Sequence, residues 1–370
     1  MNALRRNCQL LLVVVGAACA PMPLPTPADA GPSQPDAGVD AGLPLADAGQ
    51  ADGGADAGVV VPVGWARTAG TPGPDGLWGT MLAFDPIDRR FVLHGGHRVP
   101  GRIQNETWSF SIASATWTKL ATTGPTMPFR YCHCTTYLPS TRQVLIAGGR
   151  NSSTTVDSAY TLDLATLTWQ QVMGPVPTGA IGCLAHWVPS LGRAVVFGGD
   201  GSGGVNDRTW AYDPATRAFT ELMPTARAPA RRDPMSVFEP STGRILAFGG
   251  AIQIMQRYLD DVVTFDGTTW TTHAPVGPRP SARRYGATGW NAQRSRWVVF
   301  GGTNDADDRD DLWLVDPTTF SFEAQALPNG PSARGFAASG IDEATGTLYV
   351  FGGFAGGTTP LNDGWTLRLP

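Results

Sequence analysis

The run Trp297-Val-Val-Phe-Gly301-Gly302 is a short apolar segment that ends in two glycines. Valine, phenylalanine and tryptophan favour β-strands, and a run that is apolar at every position is typical of a strand buried on both faces. The two glycines that follow allow the backbone to turn sharply. Runs of this form end in the pairs Gly95-Gly96, Gly148-Gly149, Gly198-Gly199, Gly249-Gly250, Gly301-Gly302 and Gly352-Gly353.

The six glycine pairs are evenly spaced. Their first glycines are separated by 53, 50, 51, 52 and 51 residues. Self-similarity at such a period indicates that each repeat is one supersecondary unit. An Asx residue also lies three residues before an apolar or aromatic residue in each repeat, as in Asn105/Trp108. An aromatic residue follows each of the first five pairs at a nearly constant spacing: Trp117, Trp169, Phe219, Trp270 and Phe322.

This pattern resembles the kelch repeat, and the resemblance covers about residues 65–370. It implies an all-β fold, a six-bladed β-propeller with four antiparallel strands in each blade, similar to the central domain of galactose oxidase. With its N-terminal segment, the chain resembles bacterial secreted lipoproteins that carry such a propeller. The aromatic residues of the repeat would pack between neighbouring blades.

Trp65 supplies the one aromatic that the last repeat lacks. The segment after Gly353 is too short to complete that repeat. Trp65 precedes Gly95 by the same spacing, within one residue, that separates each of the other aromatics from the next first glycine. We therefore expect the strand around Trp65 to be the outer strand of the sixth blade. The propeller would then span residues 64–370 and leave no open sheet edge.

The composition agrees with an all-β protein that does not bind nucleic acid. The chain has 46 Gly and 31 Pro among 370 residues, and both are poor in helix interiors. Its 12 Trp and 15 Phe argue against disorder of the main body. Residues 64–370 carry 25 basic and 25 acidic groups, so no basic field points to nucleic acid.

The N-terminus has the pattern of a lipoprotein signal. Arg5 and Arg6 precede a short apolar stretch and the sequence Gly16-Ala-Ala-Cys19, which resembles a lipobox. We expect a signal peptide over residues 1–18, lipid attachment at Cys19, and export to the cell envelope at the outer membrane or surface. Ordinary signal-peptidase cleavage, with a periplasmic or extracellular product, is the alternative. The lipid would be the chain's only contact with a membrane.

Residues 19–63 are predicted to be a disordered linker. Asp-Ala-Gly recurs five times in this segment, which lacks lysine, arginine and aromatic residues. Such a segment cannot bury enough apolar area to offset the entropy of ordering it. It would hold the propeller away from the membrane.

Four arginines are the candidate ligand-binding residues. They lie at the entries to inner strands, on the face that also carries the loops after the glycine pairs. Guanidinium groups near one channel mouth would bind a carboxylate, a sulfate or an acidic loop in bidentate fashion. In the alternative interpretation, each bonds carbonyl groups or an Asx residue of a neighbouring blade. The four, which share one sequence spacing from the glycine pair that follows, are Arg130, Arg231, Arg283 and Arg334.

Three cysteines, Cys132, Cys134 and Cys183, follow the predicted lipid-attachment residue Cys19, and an oxidising compartment permits a disulfide. Because side chains alternate along strands, Cys183 projects from the opposite face to Cys132 and Cys134. Opposite faces of adjacent blades meet, so Cys183 can pair with either Cys132 or Cys134. We expect no metal site and no cofactor.

No Ser-His-Asp spacing, phosphate loop or His-Glu-x-x-His signature is present. The loops after the glycine pairs differ from one another, and loops are where such scaffolds carry function. We therefore expect a monomeric, non-catalytic binding or scaffold module that presents this loop face to a protein or glycan. One alternative implied by the resemblance is an enzyme of the six-bladed sialic acid mutarotase type, which the arginines keep open. The other is a purely structural surface protein.

Overall fold

The computed structural model describes residues 62–68, 73–98, 102–253, 257–356 and 359–370. The predicted signal peptide of residues 1–18, the lipid attachment at Cys19 and the predicted linker as far as residue 61 lie outside these ranges. Within the ranges the regular elements are β-strands, and no helix is long and apolar enough to cross a membrane.

The strands are numbered in chain order. They are β1 (Gly64–Arg67), β2 (Leu77–Trp78), β3 (Leu82–Asp85), β4 (Arg90–His94), β5 (His97–Arg98), β6 (Arg102–Ile103), β7 (Thr107–Ser111), β8 (Thr116–Lys119), β9 (Cys134–Leu138), β10 (Gln143–Ala147), β11 (Ala159–Asp163), β12 (Thr168–Gln171), β13 (Leu184–Val188), β14 (Arg193–Phe197), β15 (Asp200–Gly201), β16 (Gly204–Val205), β17 (Thr209–Asp213), β18 (Ala218–Leu222), β19 (Met235–Glu239), β20 (Arg244–Phe248), β21 (Ala251–Gln253), β22 (Arg257–Tyr258), β23 (Val262–Phe265), β24 (Trp270–His273), β25 (Ala287–Asn291), β26 (Arg296–Phe300), β27 (Leu312–Val315), β28 (Phe322–Gln325), β29 (Ala338–Asp342), β30 (Thr347–Phe351), β31 (Phe354–Ala355), β32 (Thr359–Pro360) and β33 (Gly364–Arg368).

In the part of the chain that the structure describes, these strands form six four-stranded antiparallel sheets, one for each repeat. Sheet 1 has the order β3-β4-β7-β8, sheet 2 β9-β10-β11-β12, and sheet 3 β13-β14-β17-β18. Sheet 4 has the order β19-β20-β23-β24, sheet 5 β25-β26-β27-β28, and sheet 6 β29-β30-β33-β1. The remaining short strands form hairpins in the loops after the glycine pairs, and the hairpin β5-β6 is extended by β2 into a three-stranded sheet.

The first strands of the sheets are arranged in a ring. They contact one another in the cyclic order β3, β9, β13, β19, β25 and β29, and β29 returns to β3. The apolar strands that precede the glycine pairs are buried; β14 and β26, for example, are fully covered after their first residue. The all-β propeller predicted from the repeats is confirmed.

The N-terminal strand closes the ring as predicted. In sheet 6, β1 pairs with β33, and Trp65 lies opposite Leu367. The Trp65 ring also packs on Phe300 of sheet 5, with 4.8 Å between ring centroids. The two ends of the described propeller are therefore joined in one sheet, which removes an exposed edge.

The aromatic residues of the outer strands pack between sheets, which confirms their predicted role. Trp270 of sheet 4 lies on Phe197 of sheet 3, with ring centroids 4.1 Å apart, and Phe322 of sheet 5 lies on Phe248 of sheet 4 at 5.0 Å. Each partner is the last residue before a glycine pair. The aromatic residue on the outer strand of one sheet thus covers the end of an inner strand in the preceding sheet. That strand end leads into the glycine pair and its loop.

The glycine pairs also link neighbouring sheets by backbone hydrogen bonds. The second glycine donates its N–H to the carbonyl of the residue at the entry to the next sheet. Gly302 bonds Arg334 in this way at 2.9 Å, and Gly353 bonds Leu77 at 2.9 Å, which joins sheet 6 to sheet 1. Every repeat is therefore tied to the next at the strand entries.

Candidate functional site

One face of the propeller carries both the entries to the first strands and the loops after the glycine pairs, as predicted. We call it the diglycine face. On it, the residue directly after a glycine pair forms a β-bridge with a residue at the entry to the same repeat. Tyr131 pairs with Arg150 in this way, and Arg284 pairs with Thr303. These bridges hold the loops close to the propeller axis.

Six residues close a ring of backbone hydrogen bonds around the axis, and we call them the central ring. Each occupies the same position in its repeat, has a φ between 54° and 70°, and donates its N–H to the carbonyl of the preceding member over 2.6–3.2 Å. Left-handed backbone is unfavourable for residues other than glycine, so these bonds hold four side-chain-bearing residues in a strained conformation. The members are Gly79, Cys132, Gly182, Asp233, Tyr285 and Phe336.

Above one half of the central ring, aromatic side chains fill the axis. We call this group the aromatic cluster. The Trp78 ring is stacked on His97 with 4.7 Å between centroids, and contacts Tyr131 edge-on at 5.2 Å. It also meets Phe336 at 5.5 Å and Phe354 at 5.6 Å. Trp78 is only 8% exposed, so the cluster covers this part of the mouth with packed rings.

The other half is occupied by ionic groups, which we call the charge cluster. The buried Asp233 carboxylate accepts hydrogen bonds from Arg232 Nε at 2.7 Å and from Arg284 Nη1 at 2.7 Å. Arg232 continues to Asp200 at 2.8 Å, and Arg284 continues to Asp305 at 2.5 Å. Two arginines and three aspartates therefore form a connected network at the face.

Burial and neighbouring charges shift the pKa values of the arginines of this cluster in opposite directions. Burial alone would lower the pKa of the Arg232 guanidinium, but the Asp233 carboxylate and other neighbouring groups, Asp200 among them, outweigh it and raise that pKa. The Arg284 pKa is raised in the same way by Asp233 and Asp305. Burial, and then the Asp233 charge, raise the pKa of Tyr285 well above 10. The arginines stay charged and the tyrosine neutral at physiological pH.

The four predicted arginines form a repeated contact that we call the arginine clamp. In sheet 6, Arg334 Nε donates to the Ser332 carbonyl at 3.0 Å and Nη1 donates to the Gly352 carbonyl at 3.0 Å. Its Nη1 and Nη2 also bond the two Asp363 oxygens at 2.7 and 2.9 Å. Arg231 and Arg283 make the equivalent contacts to Asp261 and Asp311.

The carboxylate partner affects the electrostatics of each clamp. Burial would raise the pKa of Asp363, but hydrogen bonds from Arg334 and Trp365 outweigh it and lower that pKa. The clamp of sheet 2 lacks a carboxylate, because Arg130 bonds the Ser158 carbonyl and hydroxyl instead. Burial there lowers the pKa of Arg130 to about 10. The guanidinium charge is thus paired with a carboxylate in sheets 4, 5 and 6, and with neutral groups only in sheet 2.

The clamp geometry fits the structural interpretation of the arginines, with one difference. The four side chains are at most 2% exposed and bond groups of their own sheet, not of a neighbouring blade. The structure does not bring their guanidinium groups to the mouth, where a ligand would meet them. The sialic acid mutarotase alternative was kept open by these four arginines, and their burial removes that support. The clamp arginines are Arg130, Arg231, Arg283 and Arg334.

The structure pairs Cys183 with Cys134 in a disulfide, with 5.4 Å between their Cα atoms. Cys134 begins strand β9, so strand alternation applies to it. Cys132 belongs to the central ring and takes a left-handed φ of 54°, so alternation along the strand does not apply there. Its buried side chain lies instead with Trp78 and Tyr131 near the axis. Of the two pairings that the sequence allowed, the structure contains Cys134–Cys183.

Two histidines lie near these cysteines and are held neutral by burial. Burial lowers the pKa of His186 to about 4 and that of His133 well below 6.5. Nε2 of His186 bonds the Ser236 hydroxyl at 2.8 Å. Among the described residues, no group of three or more histidine, cysteine or acidic side chains is placed to hold a metal ion.

The charge cluster was only half visible in the sequence. Arg232 and Arg284 stand out because each follows a clamp arginine, but nothing in the sequence assigns a role to Asp233 or to the neighbouring Tyr285. The sequence carries one indication. The same position is glycine in two other repeats, Gly79 and Gly182, which indicates a backbone conformation that other residues adopt only at a cost. The aligned sequence position does not show that the residues occupying it in the six repeats meet at the propeller axis.

Comparison with known proteins agrees with this repeat geometry. The family described as the KLHDC2/KLHL20/DRC7 Kelch-repeats domain matches residues 81–293 and 241–370. The chain belongs to this kelch-repeat family. Kelch domains generally mediate protein binding, and a kelch propeller suggests a binding or scaffold module.

Two curated relatives and one solved structure illustrate the similarity. Mouse "Multiple epidermal growth factor-like domains protein 8" is 23% identical over 288 residues, 73% of this kelch chain and 10% of that protein. Human "Rab9 effector protein with kelch motifs" is 28% identical over 181 residues, 46% of this chain and 48% of that protein. The chain therefore spans less than half the length of either relative. The solved structure of YjhT superposes with a TM-score of 0.62 at 16% identity and covers 79% of this chain and 95% of its own, which shows the shared fold.

Proposed function

We propose that the kelch propeller is a non-catalytic binding module that presents its diglycine face to a protein partner, with a glycan as the other ligand class. One observation carries this proposal. The repeats conserve their glycine pairs within the chain, yet the residue directly after each pair differs in all six. These residues are His97, Arg150, Asp200, Ala251, Thr303 and Phe354.

The chemistry of the face supports binding over catalysis. His97, Arg150, Asp200 and Phe354 are partly exposed and surround the axis with a cation, an anion and aromatic groups. The buried ionic groups beneath them are paired with one another, as in the Arg232–Asp233 contact. Varied side chains held on buried, ion-paired groups are suited to recognition, because a preorganised surface loses little conformational entropy on binding.

Replacing Arg150 with Glu should weaken partner binding by roughly tenfold or more, because it reverses a charge on the proposed face. Arg150 lies over the Tyr131 ring at 5.7 Å and is partly exposed. A partner would be captured from envelope proteins with the exported protein and purified, and its affinity for each variant measured; a glycan array would test the other ligand class. Arg294→Glu, at an exposed turn between β25 and β26, makes the same change of charge away from the diglycine face and is the matched control. Equal affinities of the two variants would refute the proposal.

We also propose that the module is tethered to the bacterial cell envelope through a lipid on Cys19. The support is the sequence pattern of residues 1–19 and the Asp-Ala-Gly segment that follows. Full-length protein should partition with membranes and detergent, and Cys19→Ala should release it into the soluble fraction. If the wild-type protein is soluble after export, ordinary signal-peptidase cleavage is the better account. If Cys19→Ala stays in the membrane, the anchor lies elsewhere.

A further inference from the structure

The contact between sheets 1 and 2 contains a histidine where the other contacts contain an apolar residue. His94, the last residue of β4, is 4% exposed and meets Trp169 of sheet 2 edge-on, with 5.0 Å between ring centroids. In four other repeats a phenylalanine precedes the glycine pair, as Phe197 does where it lies on Trp270. The fifth has Ala147. His94 therefore brings a titratable ring into an aromatic contact between sheets.

A second histidine reaches the same contact from sheet 2. His133 lies directly before β9 and is 1% exposed, and neither of its ring nitrogens has a hydrogen-bond partner among the described residues. A Cβ atom on Gly95 would lie 3.6 Å from its Cε1 atom, so the ring approaches the residue next to His94. The equivalent position of the other repeats holds no side chain that gains a proton: Thr80, Pro234, Gly286, Ala337 and the disulfide-bonded Cys183.

The third charged or titratable group of this contact is the buried Arg130. Its clamp contains Ser158 where the clamps of sheets 4, 5 and 6 contain an aspartate. Its guanidinium carbon lies 5.2 Å from the centre of the Tyr160 ring. We call the contact formed by His94, His133 and Arg130 the histidine seam. Among the described residues, no hydrogen bond joins these three side chains to a carboxylate.

The other charged groups on the elements packed here have partners elsewhere. Glu106, whose carbonyl accepts the N–H of the first glycine of sheet 1, bonds Lys119 and Trp108 through its carboxylate. Arg150, after the glycine pair of sheet 2, lies over an aromatic ring. A proton gained in the histidine seam would thus meet the Arg130 charge and no compensating anion. Burying unpaired charge in this way is costly.

Burial keeps both histidines of the seam neutral. It lowers the pKa of His94 to about 3, with the Arg130 charge acting in the same direction and the Asn105 amide opposing both. Burial also lowers the pKa of His133 well below 6.5, and His94 and Arg130 lower that pKa further. A histidine exposed by opening would regain a pKa near 6.5. The open form therefore binds more protons below about pH 6.5, so the seam is most stable above that pH and weakens as the pH falls.

Two backbone hydrogen bonds cross the histidine seam. The Gly96 N–H donates to the Arg130 carbonyl at 2.9 Å, and the Cys132 N–H donates to the Gly79 carbonyl at 2.6 Å as part of the central ring. On its other side, sheet 2 is fastened to sheet 3 by the disulfide. Opening at the seam would therefore separate sheet 2 from sheet 1 and leave sheets 2 and 3 joined.

We propose that the histidine seam is an acid-sensitive switch, in which His94 and His133 gain protons and the contact between sheets 1 and 2 opens. Tyr131 lies two residues before His133 and meets Trp78 at 5.2 Å, so opening disrupts the aromatic cluster. Acid then releases a ligand held at the diglycine face. This last consequence alone rests on the proposed function.

Amide hydrogen exchange of the full-length chain tests the seam without a partner. After correction for intrinsic exchange rates, protection of the Gly96 and Cys132 amides should fall between pH 7 and pH 4.5 by roughly a hundredfold for each histidine protonated on opening. The Gly302 and Phe336 amides make the equivalent bonds between sheets 5 and 6 and should keep their protection. No loss at Gly96 and Cys132, or an equal loss at both contacts, would overturn the proposal.

Variants identify the groups that respond to acid. His94→Phe restores the residue of four other repeats, and His133→Met removes the second ring; each should reduce the loss of protection roughly a hundredfold. Ser158→Asp supplies the carboxylate of the other clamps and should move the opening to lower pH. His273→Gln, at a half-buried histidine of sheet 4, is the control and should change nothing at the seam.

The acid response of the single variants decides the matter. If either His94→Phe or His133→Met folds and keeps the full wild-type response, the seam histidines are not the switch. The binding consequence is measured separately, as partner affinity at pH 7 and pH 4.5. Seam opening with unchanged affinity would uphold the switch and count against the diglycine face as the binding surface.

Discussion

Replacing Arg334 with Met should lower the free energy of unfolding by about 3–5 kcal/mol, the usual cost of removing one partner from a buried ion pair. Arg334 is 1% exposed, and its side chain donates to the Ser332 and Gly352 carbonyls as well as to Asp363. Methionine fills similar space but donates no hydrogen bond. Asp363, whose side chain is 13% exposed, would lose its main counter-ion. Urea denaturation at pH 7 measures the change.

Arg279→Met is the matched control for this prediction. Arg279 also bonds an aspartate, Asp260 at 2.8 Å, but both side chains are more than one third exposed. Such surface pairs contribute about 0–1 kcal/mol. If the two variants lost the same stability, Arg334 would not act as a structural clamp, and a role in ligand binding would have to be reconsidered.

Replacing Gly249 with Ala should destabilise the propeller by at least about 3 kcal/mol, through backbone strain and a steric clash that add together. Gly249 has a φ of 69°, which L-residues adopt at a cost. A Cβ there would lie 2.5 Å from the Arg283 carbonyl oxygen, which belongs to the next sheet. That carbonyl accepts the Gly250 N–H, so it cannot move away without breaking the link between sheets 4 and 5.

Gly243→Ala separates the two contributions. Gly243 has the same φ of 69°, but a Cβ there would meet nothing within 4 Å. Its replacement should therefore cost only the conformational part, about 1 kcal/mol. Melting temperatures and urea midpoints of the two variants give the difference. Equal losses would mean that the close approach between the sheets has no energetic consequence.

The position of the ring-closing strand could be predicted from the sequence, whereas the pairing of the disulfide could not. Trp65 could be placed in sheet 6 because its spacing from Gly95 repeats that of the other aromatics. The partner of Cys183 could not be chosen, because the argument assumed that Cys132 and Cys134 lie on one regular strand. Cys132 instead takes the left-handed conformation of the central ring, which only contacts with neighbouring sheets impose.

The sequence by itself determined the repeat, the all-β class and the closure of the propeller by its N-terminal strand. These follow from short-range patterns, since apolar runs, glycine pairs and spaced aromatics each act within one repeat or on the next. Only the tertiary structure decided that Arg334 is a buried clamp and that Asp233 joins two arginines at the axis. The physical reason is that hydrogen-bonding partners and solvent access are set by groups far apart in the chain, which the spacing of residues does not encode.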